Sequence, residues 1–324
     1  MRAPSTVQAR DMSTTAPPPR TRAVEVTGLR KRYGAHQAVD GLDLHVDHGE
    51  IVAVLGPNGA GKTTTVEILE GFRRADSGTV RVLGADPAGA GRGWRDRIGV
   101  VLQDSDDLPE LTAREMVRHF ARYYRAPRDP DEVITAVGLD AKAGVRVRAL
   151  SGGQRRRLDV ALGIVGSPEL LFLDEPTTGF DPQARRSFWE VVRSLRAGGT
   201  TMLLTTHYLD EAAALADRVV VVAGGRVVAE GPPATLGGAE ARRPVVHWTQ
   251  DGTDRSERTS TPTALVTHLA GRLGGADGEV PGLRVETPTL EDVYLELVSA
   301  QTGAATQTAQ HTPLTQHSPE EMTS

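Results

Sequence analysis

The chain has 324 residues, enough for about two domains and a sizeable core. Its 37 basic residues against 42 acidic ones give a net charge of −5, which argues against nonspecific nucleic-acid binding as the main activity. It has no cysteine, which excludes disulfides and thiolate metal sites and fits a reducing compartment. No apolar run approaches the roughly 20 residues needed to cross a bilayer. The best one, over 158–173, is broken by Asp159, Ser167, Pro168 and Glu169, and the N-terminus lacks the long apolar core of a secretory signal.

Residues 1–22, rich in Pro, Ser, Thr and Ala, read as a disordered tail. From there short β-branched runs alternate with helical spacing. Strands are expected at 50–55, 98–102, 170–173, 201–205 and 219–222, nearly all apolar, as in a parallel sheet covered on both faces. Helices are expected at 62–70, 112–124, 152–165, 182–196 and 208–216. This alternation implies an α/β domain with a largely parallel sheet. The stretch 104–165 has no strong strand and reads as a helical lobe inserted into that sheet.

Composition shifts after about residue 236. Strand-like pieces near 244–249, 256–260 and 282–286, with helices near 263–273 and 290–299, describe a small α+β appendix. Its last helix opens on a capping signal, Thr289 and Asp292 three residues apart. Residues 301–324 read as a second disordered tail.

The chemistry starts after the first buried strand. Gly56, Pro57, Asn58, Gly59, Ala60, Gly61, Lys62 and Thr63 match the pattern G-x-x-x-x-G-K-[ST], with Thr64 next in line. The glycines let successive backbone N–H groups curl around one anion, and the following helix points its positive end at it. In such a loop Lys62 reaches the β and γ phosphates and the Thr63 hydroxyl ligates Mg²⁺. A second apolar run, 170–173, ends in Asp174 and Glu175. Ligands of open parallel sheets collect at the carboxyl ends of strands, which puts both acids beside the phosphates. Asp174 suits Mg²⁺, and Glu175 suits the proton of an attacking water.

At Leu150, Ser151, Gly152, Gly153 and Gln154 the chain resembles the ATP-binding cassette family, whose signature is LSGGQ. Hydroxyl and amides at a helix start make a second anion site. The resemblance implies that two such domains pack head to tail, the signature of one capping the ATP held by the other. It makes His207, after the strand TMLLTT, the switch histidine on the γ-phosphate, and Gln103 the glutamine that senses Mg²⁺ and the γ-phosphate. Asp181 matches the segment that crosses the dimer interface, and Tyr33 the aromatic that stacks on adenine. The order and spacing of these elements match over 24–233. A guanine-specific N-K-x-D motif is absent from the sequence, which argues against a GTPase.

The implied architecture is a P-loop ATPase domain over 23–235: a parallel-sheet core with antiparallel β and helical subdomains (the helical one about 104–165). An accessory domain follows over 236–300. The implied cofactors are ATP and Mg²⁺, and the implied assembly is a homodimer across two ATP. The closing stretch TPTLEDVYLELV, and the region 104–124, resemble the daunorubicin-resistance branch, in which a half-molecule pairs with a separate membrane permease to export drugs or other amphiphiles. That branch places the chain at the cytoplasmic face of the membrane, with no nucleic-acid partner. An importer ATPase is the second reading, and a soluble factor acting on ribosomes or DNA a distant third. One departure is Phe180, where the family commonly has leucine in GLDP; it leaves Asp181 in place.

Overall fold

The computed structural model describes residues 21–101, 108–275 and 278–309, with 301–309 by backbone alone. The chain begins with two long strands, β1 (Arg22–Tyr33) and β2 (His36–Asp47), paired antiparallel. In β2, Leu42, Leu44 and Val46 point inward and alternate with outward polar residues, the period of a half-covered strand. The sequence reading did not single these strands out, because their charged faces interrupt the apolar runs.

The chain then enters the main sheet through β3 (Ile51–Leu55), buried throughout, and leaves it through α1 (Lys62–Leu69). It returns to the hairpin as β4 (Ser77–Val82), giving a three-stranded sheet of order β2-β1-β4, and a short α2 (Arg92–Arg95) leads to β5 (Ile98–Val101). A helical lobe follows: α3 (Ala113–Ala121), α4 (Pro130–Ala136) and α5 (Gly152–Ile164). The core strands then alternate with helices as β6 (Leu170–Asp174), α6 (Pro182–Ala197), β7 (Thr201–Thr205), α7 (Leu209–Leu215) and β8 (Arg218–Ala223). The last, β9 (Arg226–Gly231), turns back antiparallel. The sheet order is β5-β6-β7-β3-β8-β9, parallel from β5 to β8.

Two apolar cores form on the two faces of this sheet. Ile51, Ala53 and Leu55 of β3 face one core, which takes in Met116, Val117, Ile134 and Leu158 of the lobe and Phe188 and Val192 of α6. Val52 and Val54 face the other, with α1 and the β1–β2 hairpin. The helical lobe therefore shares a core with the sheet. All three loops that follow β3, β6 and β7 emerge at one edge, because those strands run parallel and adjacent.

The C-terminal part holds α8 (Gly238–Ala241) and an antiparallel sheet of β10 (Val245–Gln250), β11 (Thr253–Arg258) and β12 (Arg284–Glu286), with α9 (Pro262–Leu273) packed on it around Val246 and Leu269. Its closing helix, α10 (Leu290–Ala309), packs back on α7, β8 and β9. Leu290 joins the larger core and Val293 is fully buried. The capping box is formed: Thr289 N–H donates to Asp292 Oδ2 at 2.8 Å, and Asp292 N–H to Thr289 Oγ1 at 3.2 Å. The helix expected at 290–299 runs on to Ala309, into the stretch read as a tail; the alanines there favour helix and the first proline is Pro313. Among the described residues no helix is long and apolar enough to cross a membrane.

Candidate ATP site

The phosphate loop lies between β3 and α1, held by backbone contacts that admit no side chain. A Cβ on Gly56 would sit 2.2 Å from the Val222 carbonyl oxygen, and one on Gly61 would sit 2.3 Å from that of Ala38. Gly61 also takes a left-handed φ of 98°, so both positions require glycine. Gly61 is the N-cap of α1 and supplies no side-chain acceptor. The first-turn amides of α1 are thereby left facing the loop's concavity, a ready anion site.

Lys62 is only 8% exposed, and its ammonium donates to the Gly56 and Pro57 carbonyls at 2.7 and 3.1 Å. Burial pushes its pKa down; the negative charges of Glu175 and Asp174 partly offset this. Those three residues thus share one electrostatic environment. Pro57, Asn58, Gly59 and Thr63 are exposed on the loop, Ala60 is buried and Thr64 half-buried.

Thr205 organises the acids. Register pairs Asp174 with Thr205, and the Thr205 hydroxyl donates to Asp174 Oδ1. The Glu175 N–H donates to the Thr205 carbonyl at 3.0 Å and to its hydroxyl at 3.2 Å. Glu175 takes a φ of 42°, a left-handed conformation that costs a non-glycine residue about 1–2 kcal/mol. The strain turns its carboxylate off the strand. There Oε2 accepts from Thr178 Oγ1 at 3.2 Å and lies 3.3 Å from His207 Nδ1. The acid and the histidine, 32 positions apart in the chain, therefore meet.

Arg156 supports this edge from the lobe. Its guanidinium is buried and donates to the carbonyls of Asp174 at 2.6 Å and Pro176 at 3.0 Å. Sequence reading missed Arg156 and Thr205. Arg156 sits in a run of three arginines with nothing to mark it as the buried one.

The signature turn is closed differently. Ser151 is the N-cap of α5 in a full capping box: Gln154 N–H donates to Ser151 Oγ at 3.3 Å, and Ser151 N–H to Gln154 Oε1 at 3.1 Å. The Gly152 and Gly153 amides and the serine O–H remain to meet an anion. The turn lines a hollow with Arg157, Asp181 and Ala184, and no phosphate-loop residue borders it. Asp181 is itself a cap: its Oδ1 accepts from the N–H groups of Gln183 and Ala184 at the start of α6. Phe180 packs edge-on against buried Phe188, 5.9 Å between centroids, so the departure from leucine fills local space.

Tyr33 ends β1 at 40% exposure, with Lys31 Nζ and Arg73 Cζ at 5.7 and 5.6 Å from its ring centroid. Gln103 lies outside the described residues. Thr63 and Asp174 offer the hard oxygens that Mg²⁺ prefers.

The chain is similar to a family of known proteins. The family model described as ABC transporter matches residues 39–178, the stretch from β2 through the phosphate loop, the signature and the paired acids. A daunorubicin resistance ATP-binding protein of Streptomyces coeruleorubidus is 41% identical over 302 residues, covering 85% of this chain and 95% of that one. A Nod factor export ATP-binding protein of Ralstonia nicotianae is 46% identical over 222 residues, 67% of this chain and 69% of that protein. Among solved structures, the CbiO1 subunit of a Clostridium perfringens ABC transporter complex superposes with a TM-score of 0.60 at 28% identity, over 65% of this chain and 89% of that one. The chain belongs to the ATP-binding cassette family: it is an ATPase, the ATP-binding subunit of a transporter, and it is similar in sequence to proteins of the daunorubicin-resistance type.

Proposed function

We propose that this subunit hydrolyses MgATP at the interface of a homodimer and drives export of a drug-like or amphiphilic substrate through a separate membrane permease. The separation of the two anion sites carries the reading. Lys62, Asp174, Glu175 and His207 gather around the phosphate loop, while Ser151 and Gly153 line a hollow elsewhere with Asp181. One chain therefore holds two half-sites, and a head-to-tail pair completes both.

In the reaction the phosphate loop and Lys62 bind and orient the β and γ phosphates. Glu175 Oε2 accepts the proton of the attacking water as its oxygen bonds to the γ-phosphorus; the bond to the bridging oxygen breaks, and ADP leaves with that oxygen. His207, whose Nδ1 lies 3.3 Å from Glu175 Oε2, fixes the carboxylate's direction. Thr63 and Asp174 would hold Mg²⁺, which supplies charge neutralisation on the phosphates; Gln103 is read as a further sensor of that ion. Tyr33 stacks on the adenine. Ser151, Gly152 and Gly153 of the partner copy add donors to the γ-phosphate, Gln154 locks that turn, and Asp181 lies at the interface. Positioning and electrostatics dominate phosphoryl transfer, so an isolated chain should bind ATP yet turn it over slowly.

Export is favoured over import by the relatives: the proteins named for daunorubicin resistance and Nod factor export are similar along the chain, the first through the C-terminal part as well. Such a partner places the subunit at the cytoplasmic face of the membrane. The region 104–124, which the family resemblance makes the permease contact, leaves Leu108 and Tyr123 exposed, as suits a surface awaiting a partner.

The test is to tag Glu175→Gln, trap it with MgATP and identify what co-purifies from gently solubilised membranes. A multi-span protein in a two-fold assembly is expected. Recovery only as a soluble dimer, or with ribosomes, would keep the ATPase chemistry and overturn the exporter reading. Recovery with a substrate-binding protein as well as a permease would favour an importer.

A further inference from the structure

Tyr208 follows the histidine and has no part in the site as described so far. Its ring lies against the His207 imidazole, with 4.0 Å between centroids and 40° between planes. The same ring is covered by Arg185, whose Cζ is 4.0 Å from its centroid. Arg185 stands in the first turn of α6, where its N–H donates to the Asp181 carbonyl at 3.0 Å. Its Nη1 donates to Asp210 Oδ2 of α7 at 3.2 Å. A continuous set of contacts thus runs from Asp181 through Arg185 and Tyr208 to His207, and on to Glu175 at 3.3 Å.

Packing beneath these residues is polar and incomplete. Glu211 of α7 is fully buried, and Trp189 Nε1 donates to its Oε1 at 3.3 Å. Burial raises the pKa of this carboxyl, opposed by the neighbouring Thr206, Thr177 and Trp189 and by the charge of Arg185. Among the described residues no hydrogen bond of good geometry reaches Glu211 Oε2 or Arg185 Nε, although both atoms are buried. Unmade bonds in a buried site are costly.

We propose that Arg185 and Tyr208 are positioning residues: they hold the His207 imidazole toward Glu175 and tie its direction to the N-terminus of α6. The proposal rests on the roles given above to Glu175, His207 and the Asp181 segment. When a second subunit presses on that segment, the guanidinium moves with the helix, the tyrosine ring with the guanidinium, and the imidazole with the ring. Assembly is thereby reported to the group that orients the catalytic carboxylate. The ring does this by its face; the cation holds the ring by charge and flat contact.

The alternative is a simple staple, in which Arg185 serves only to join α6 to α7 through Asp210. Two measurements on the full chain separate them: steady-state ATP turnover, and the NMR signal of the His207 ring, identified by its loss in His207→Ala. Arg185→Ala and Tyr208→Ala should each lower kcat by roughly 10–100-fold, the scale set by small misplacement of a reacting group, with KM for ATP nearly unchanged. Both should shift the His207 signal. Tyr208→Phe should recover most of what Tyr208→Ala loses, and Arg185→Lys, which keeps the charge without the flat stack, should recover little. Asp210→Ala, which removes the ion pair and a local hydrogen bond from the Glu211 N–H but leaves the ring contacts, should behave like the parent chain.

Normal kcat in Arg185→Ala and Tyr208→Ala, with His207→Ala inactive, overturns the inference and leaves the ATPase reading intact. So does a lowered kcat with an unmoved His207 signal, or a loss in Asp210→Ala equal to that in Arg185→Ala. Normal turnover in His207→Ala removes the role given to the histidine, and this inference with it. Should an alanine variant fail to fold, Arg185→Lys and Tyr208→Phe, read against each other, still decide the matter.

Discussion

The phosphate loop and the signature turn are both glycine-rich starts of helices, yet they are finished in opposite ways. Gly61 caps α1 with no side chain, so the first-turn donors are left for a ligand. Ser151 caps α5 with a closed box, so two donors are already used and only the glycine amides and one hydroxyl remain. The first loop is surrounded by its own lysine, acids and histidine; the second borders Asp181 and α6. On the proposed reading the open loop binds ATP alone, and the capped one adds a few fixed donors to a phosphate that something else already holds.

Breaking each half in turn tests this contrast, and the largest effect is expected from the open loop. Lys62→Ala should abolish ATP binding by the chain, read by calorimetry or a fluorescent nucleotide. Gly153→Asp, which adds negative charge to the capped turn, should leave that binding intact and stop turnover. Mixed together, the two inactive variants should regain activity. A pair containing one of each has one composite site in which the intact loop meets the intact signature. Absence of this complementation, with mixed dimers shown to form, would contradict the head-to-tail arrangement.

Glu175→Gln probes the chemistry within the open half. It should retain ATP binding and lose turnover by roughly 10²–10⁴-fold, the usual worth of a general base. Near-normal turnover would remove Glu175 from that role.

Much of this contrast was legible in the sequence, for physical reasons. Buried parallel strands are uninterrupted apolar runs, so β3, β6, β7 and β8 were placed within one or two residues. The phosphate loop was legible because its glycines answer a backbone requirement that no other residue meets. The hairpin strands β1 and β2 were not singled out, since Lys31, Arg32 and His45 interrupt their apolar positions on the open face. Contacts made by folding alone were hidden as well. Nothing local marks Arg156 as the buried arginine of its run, Thr205 as the partner of Asp174, or Tyr208 as a ring between a cation and the switch histidine.

Arg156→Ala sharpens the contrast from the lobe side, because Arg156 lies on the signature helix yet holds the acids of the other half. Removing it takes the donor from one buried and one part-buried carbonyl and the cation from its ion pair with Asp159, at about 1–3 kcal/mol by denaturant unfolding. Turnover should fall further than ATP affinity, since the end of β6 loosens while the phosphate loop stands. Arg156→Lys should not restore both bonds, because the ammonium lacks the fixed fork by which Nε and a terminal nitrogen of the guanidinium each reach one carbonyl. Equal losses of affinity and turnover would show that Arg156 serves the whole domain rather than the acid-bearing edge.

The smallest expected effect lies behind the open loop, at Glu70, the C-cap of α1. Burial, with added repulsion from Asp174 and Glu67, raises its pKa to about 8, and among the described residues its buried Oε1 has no hydrogen-bond partner. A carboxyl that is neutral when folded and ionised when unfolded stabilises the fold fully below the unfolded value of 4.5. That stability is lost progressively as the pH rises through about 8. Glu70→Gln keeps the shape and cannot ionise, so its advantage over the parent chain should be near zero at acid pH. It should grow toward pH 8, on the order of 1–3 kcal/mol after relaxation of the site. Paired denaturation curves at acid and mildly alkaline pH measure it. A constant difference would mean that the folded carboxyl titrates where the unfolded one does, so that Glu70 is ionised at mildly alkaline pH and negative charge then stands close behind the phosphate loop. The open half would then bind phosphate against a stronger opposing field than its lysine and helix dipole alone suggest.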